Sequence, residues 1–119
     1  MMKMRRFVLA FLIVMIFTSP VYAWLQSGWH TVKEIRIIHK SDNRLNGLNG
    51  HVLLVALNEK ENRWYGLFSK DAKEIAMFES VLLTAISTGR EVRIRHSVNL
   101  KLPGNLDEKP LIMYRVQIR

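Results

Sequence analysis

Residues 71–98 read DAKEIAMFESVLLTAISTGREVRIRHSV, and a change of period inside this stretch decides the fold. Between Ala72 and Thr88 the apolar residues Ile75, Phe78, Leu82, Ala85 and Ile86 recur at helical spacing and form one stripe. Asp71 stands at the N-cap, and Glu74 three residues on completes a capping box. Gly89 follows at the C-cap, where left-handed backbone is cheap only for glycine. The spacing predicts a helix over 72–88. From Glu91 the period drops to two. Val92, Ile94, His96 and Val98 face one way; Glu91, Arg93, Arg95 and Ser97 face the other, as in a half-buried strand.

Upstream of the helix lie three β-like runs. Thr31 to Lys40 is rich in β-branched residues, with Ile35 and Ile37 on one face and Glu34 and Arg36 on the other. His51 to Asn58 is continuously apolar, consistent with a strand buried on both faces. Arg63 to Phe68 is aromatic. The Asn- and Gly-rich stretch 41–50 and the polar residues 59–62 read as a loop and a turn. Downstream, residues 99–110 carry Pro103-Gly104-Asn105 and read as a long loop. Leu111 to Ile118 then alternates, with Ile112, Tyr114, Val116 and Ile118 on one side. The order β-β-β-α-β-β is that of an OB-fold-like five-stranded Greek-key barrel. An antiparallel sheet with the helix laid across one face is the alternative.

Residues 1–23 read as a signal peptide. A basic start with Lys3, Arg5 and Arg6 precedes the 11-residue apolar run Phe7–Phe17 and a Val21-Tyr22-Ala23 cleavage site. Eleven apolar residues fall short of the roughly 20 that span a bilayer. The expected product is a single domain over 24–119, exported to the periplasm or beyond. It keeps 15 of the 18 basic residues and all 10 acids, so the net charge drops from +8 to +5. An exported basic domain meets lipopolysaccharide, anionic glycans or an acidic protein face rather than nucleic acid. There is no cysteine, which excludes disulfides, thiolate metal sites and cysteine nucleophiles.

No catalytic motif stands out, and the chain reads as a non-enzyme without cofactor or metal. His30, His39, His51 and His96 are scattered in sequence; His96, on the apolar side of its strand, reads as a hydrogen-bonded core residue. Glu59, Glu61, Asp107 and Glu108 read as solvated charges in a turn and a loop. The candidate ligand-binding residues are Trp29, Trp64, Tyr65, Arg93 and Arg95. Flat aromatic faces suit the apolar face of a sugar ring. Trp24 and Trp29 bracket Ser27-Gly28, and Trp64-Tyr65 sits in the third strand. Arg93 and Arg95 share one face of their strand, as do Arg115 and Arg119 of the last one. If those strands pair, a basic stripe results that would bind anionic groups through bidentate hydrogen bonds.

The passage Ala76 to His96 resembles the B subunits of subtilase-type AB5 cytotoxins and their pertussis-like relatives. In both, an amphipathic helix ends in a Ser-Thr-Gly turn, here Ser87-Thr88-Gly89, followed by a basic residue, Arg90, and the alternating strand Val92-Arg93-Ile94. The resemblance implies an OB-fold, a ring-forming homopentamer, binding of cell-surface glycans and an exported A subunit as partner. The expected function is therefore a non-catalytic binding module for a glycan, a partner protein or both. A stand-alone periplasmic inhibitor, immunity or envelope protein is the alternative.

Overall fold

In the computed structural model, residues 24–45 and 48–119 are described; the expected signal peptide, residues 1–23, lies outside them. The chain forms β1 (Trp24–Gln26), β2 (His30–Ile38), β3 (His51–Leu57), β4 (Tyr65–Ser69), α1 (Ala72–Thr88), β5 (Glu91–Lys101) and β6 (Leu111–Ile118). Among the described residues the architecture is mainly β, one six-stranded sheet with one helix. β2, β3 and β4 form an antiparallel meander, β4 runs parallel to β6, and β6 runs antiparallel to β5. β5 in turn pairs with β2, so the pairings curl the sheet back on itself. The β2–β5 and β4–β6 seams hold only two residue pairs each, and the sheet is not a clean barrel.

β1 is the strand that the sequence did not reveal. Three residues are too few to show alternation, and Leu25 is exposed. Its identity comes from its partner. β1 pairs with β5 at Gln26↔Arg95 and β2 pairs with β5 at His30↔Val92, two ladders that differ by one residue in register. They are one antiparallel edge broken by a bulge, where Gly28 takes a φ of 73° that a residue with a Cβ adopts only at a cost.

The helix spans the residues its spacing predicts. Asp71 Oδ1 accepts from the Lys73 amide at 2.9 Å, and Gly89 closes the other end with φ 67°. The capping box is built differently. Glu74 accepts from the Ser69 hydroxyl at 2.8 Å, and the Asp71 amide donates to that same hydroxyl at 3.0 Å. The last residue of β4 thus ties the sheet to the helix start. Ile75, Leu82 and Ala85 are buried, but Ile86 is exposed, so the buried stripe is narrower than the apolar one.

β3 is buried along both faces, as its unbroken apolar run predicts. Leu53, Val55 and Leu57 pack with Tyr65, Leu82, Val92, Ile94 and Met113 in the core beneath α1. Val52 and Leu54 face the other way, against Ile38, Leu45 and Leu106. The two loops are therefore not mere connectors: a 3₁₀ turn at Asn43–Leu45 and the 102–110 loop each lower a leucine onto the back of β3. At roughly 25 cal/mol per Å² of apolar surface, each such leucine contributes about 1.5–3 kcal/mol.

Two bulges revise the predicted alternation at the end of the sheet. Arg95 pairs with Arg115 and the next residue, His96, with Met113, so Tyr114 is an extra residue on β6. The phase flips there. Leu111 and Met113 pack inward before it, Val116 and Ile118 after it, and Tyr114 is exposed, so Ile112 and Tyr114 do not share the inner side of Val116. On β5, His96 and Lys101 pair with Met113 and Leu111, so the strand bows outward between them. Val98 and Leu100 are exposed in consequence, and the Ser97 hydroxyl donates to the Leu100 carbonyl across the bow.

Candidate functional site

β5 carries opposite chemistry on its two sides. Val92, Ile94 and His96 are buried and fix the strand in the core. Between them Arg93 and Arg95 point outward, flanked by β1 on one side and β6 on the other. In antiparallel pairs, directly opposed residues project to the same face. Arg95 opposes Arg115 and Gln26; Arg93 opposes Gln117. The two strands do pair, so the basic stripe exists.

Two indoles hold these cations. The Arg93 and Arg119 guanidiniums lie 4.8 and 4.6 Å from the Trp29 ring centroid. The Arg95 guanidinium lies 4.0 Å from that of Trp24, which is 45% exposed. Each such contact contributes roughly 0.5–1 kcal/mol at an exposed site. The bulge at Gly28 makes this arrangement possible, because it offsets Trp29 from the register of Trp24.

The arginines differ in what else they touch. Arg93 donates from Nε and Nη2 to Gln117 Oε1 at 3.0 and 2.6 Å. Arg119 donates to Glu91 Oε1 at 3.1 and 2.8 Å. Arg90 Nε donates to the main-chain oxygen of Arg119 at 3.1 Å. Arg95 Nε is buried and has no partner among the described residues. Gln117 is uncharged, so among the described residues Glu91, already committed to Arg119, is the side-chain carboxylate that balances this group.

Trp64 and Tyr65 do not join this face. Trp64 packs against the second core cluster, with the Arg36 guanidinium 4.6 Å from its ring. Tyr65 is fully buried, and its hydroxyl donates to Glu59 Oε1 at 2.7 Å. Burial and the adjacent Glu59 carboxylate push its phenol well above the usual range. Glu59 and Glu108 depart from their expected solvation: their side chains are only 5% and 8% exposed, drawn in by Arg63 and Arg36. His96 is buried in the core, as its side of the strand predicts. Its Nδ1–H donates to the Ser97 carbonyl at 2.7 Å, while Nε2 has no partner among the described residues. Burial pushes its pKa down, and the Arg63 guanidinium adds to the effect, against the pull of the Ser97 bond.

Two further features lie beside the stripe, the first of them bordered by Arg115. A groove of about 200 Å³ between α1 and β6 is lined by Met77, Phe78, Val81 and Tyr114 to Val116. His39 and His51 meet edge to face at 5.1 Å, but among the described residues no group of three metal-ligating side chains forms. Also among the described residues, no helix is long and apolar enough to cross a membrane.

Sequence reasoning placed Trp29, Arg93 and Arg95 in the candidate set, and the structure brings these three together. It missed the part played by Trp24, because nothing marked Trp24–Gln26 as a strand. The signal available was the Trp-x-x-x-x-Trp spacing around Ser27-Gly28. Comparison with protein-family models, curated proteins and solved structures returns no match for this chain.

Proposed function

We propose that this chain is an exported, non-catalytic binding module that takes an anionic cell-surface glycan on its Trp24/Trp29–Arg93/Arg95 face. One observation carries the reading. Indole rings and guanidiniums are pre-assembled on a single solvent-facing surface, and among the described residues most of their positive charge has no side-chain counter-ion. A fixed array of this kind recognises a ligand with little loss of side-chain freedom. Among the described residues, the one side-chain carboxylate in this group, Glu91, is bound to Arg119, so the face offers cations and flat rings rather than a free side-chain base.

The fold reading extends in the same direction. The cycle of pairings β2-β3-β4-β6-β5, with one parallel pair and the helix between β4 and β5, supports an OB-fold-like Greek-key barrel in which β1 and β2 act as one bent strand. The resemblance to AB5 toxin B subunits extends the proposal to a ring of five copies with an exported catalytic partner. Light scattering on the protein tests that extension: a pentameric mass supports it, and a monomer overturns it.

An array of anionic and neutral glycans tests the function. The expected result is saturable binding of anionic glycans that falls at least tenfold in Trp29→Ala and Arg93→Gln. Binding unaffected by either variant, or preference for single-stranded DNA, overturns the reading. A second reading, a periplasmic protein that binds another protein, draws on the exposed apolar side chains Met77, Leu83 and Ile86 of α1. Met77→Asp would abolish that interaction and leave glycan binding intact.

A further inference from the structure

The stripe is not uniform, and its uneven part points to a ligand class. Arg93, Arg119 and Arg90 are engaged by Gln117, Glu91 and the main-chain oxygen of Arg119. Arg95 and Arg115 are left, and among the described residues no acceptor bonds either side chain. They are also direct partners across β5 and β6. Opposed residues in such a pair have Cβ atoms about 4.5–5.5 Å apart, where like charges destabilise the sheet.

The backbone goes out of its way to make this unfavourable pair. Were the His96↔Met113 register continued without a bulge, Arg95 would oppose Tyr114. The extra residue at Tyr114 brings Arg115 opposite Arg95 instead, and Gln117 opposite Arg93. Bulges of this kind re-aim side chains at functional places. Trp24 also holds the Arg95 guanidinium in place, with its Nε shielded from water and unbonded.

We infer that Arg95 and Arg115 form a seat for a tetrahedral oxoanion, the sulfate or phosphate monoester of a saccharide. This deepens the glycan reading above and rests on it. A monoester presents three terminal oxygens in a tetrahedral array and bridges two guanidiniums at once. A carboxylate has two coplanar oxygens and is matched by a single guanidinium fork. The bound ester also supplies the negative charge that the opposed arginines lack. Along β5, Arg93 and its Trp29 partner lie two residues away, about 7 Å, close to the width of one sugar ring. The ester is seated at Arg95/Arg115 while the rest of the saccharide lies along the Trp/Arg stripe.

Calorimetric titration of the intact protein tests the seat. The probes are a heparin-derived hexasaccharide, the same hexasaccharide after desulfation, and glucose 6-sulfate against glucose 6-phosphate. Desulfation leaves the carboxylates in place, so it separates the two anion geometries. The expected result is binding of the sulfated hexasaccharide that weakens at least tenfold on desulfation, and at least tenfold in Arg95→Gln and in Arg115→Gln. Arg36→Gln, on a different part of the sheet, leaves it unchanged. The better of the two glucose esters identifies the source as sulfated or phosphorylated, and either preference supports the seat. Equal binding of the desulfated hexasaccharide, or full binding by folded Arg115→Gln, overturns it. If the desulfated hexasaccharide binds as well as the sulfated one and only Trp29→Ala abolishes that binding, the seat fails while the anionic-glycan reading survives. If Trp29→Ala also changes nothing, both fail.

Discussion

Arg36 on Trp64 and Arg95 on Trp24 are the same local motif, a guanidinium 4.6 or 4.0 Å from an indole centroid, with opposite charge surroundings. Arg36 donates to Glu34 at 3.1 Å and to the drawn-in Glu108 at 2.9 Å. Its pKa is raised by those carboxylates, Glu34 first. The contact pins the 102–110 loop to β2 and has nothing left to offer a ligand. Among the described residues Arg95 has no carboxylate partner, opposes another arginine and keeps a buried donor unbonded. The comparison teaches that an arginine on a tryptophan is not by itself a binding site. What decides is whether the protein has already neutralised the cation.

The largest expected effect lies in the frame that both regions share. Ile94, fully buried, sits between Arg93 and Arg95. Ile94→Asp puts an unpaired carboxylate in the core at a cost of more than about 4 kcal/mol. The variant should lose its cooperative melting transition by circular dichroism.

Next in size comes Arg36→Gln. It strips the partner from a carboxylate that is 8% exposed, so Tm should fall by a few degrees, with oxoanion binding unchanged. A variant that melts like wild type would remove the structural half of the comparison.

Acidification should weaken the core behind the stripe. The folded-state pKa of His96 lies below the ordinary histidine value of about 6.5, so the unfolded chain takes up the proton first as pH falls. Stability is complete above that value and declines as the pH drops from there toward the folded-state pKa. Melting curves between pH 8 and 5 should show Tm falling below about pH 6.5, with a shallower fall in His96→Gln. Identical slopes would mean that His96 does not carry the effect.

The smallest effect has the opposite sign. Arg115→Gln removes one of two opposed like charges and should raise stability by roughly 0.2–1 kcal/mol, seen as a slightly higher Tm. A lower Tm would mean that Arg115 already has a stabilising partner and that the two regions are alike.

Much of this fold was legible in the sequence, because its strongest elements are set by local chemistry. The helix follows from an apolar stripe between Asp71 and Gly89, and β3 from an apolar run too long to be half-exposed. Trp29, Arg93 and Arg95 could be nominated because alternation assigns Arg93 and Arg95 to an outer face. What escaped depends on pairing between distant segments. β1 is defined by β5, about 70 residues away. The flip at Tyr114 comes from a bulge with no residue signature, and it sent Ile112 and Tyr114 to the wrong side. Glu59 and Glu108 look like surface charges until Arg63 and Arg36 draw them in. The same kind of long-range register, Arg95 against Arg115, turns two ordinary arginines into a candidate seat.

The most direct test is a set of melting curves for wild type, Arg36→Gln and Arg115→Gln in sodium sulfate and in sodium chloride at equal ionic strength. Sulfate stabilises most folds by exclusion from their surface, so the difference between variants is the readout. Ligand binding adds to stability with concentration. Sulfate should raise the Tm of wild type and Arg36→Gln by the same margin, and that of Arg115→Gln by distinctly less. An equal rise in all three would contradict the claim that the uncompensated arginine pair is where this protein binds its anion.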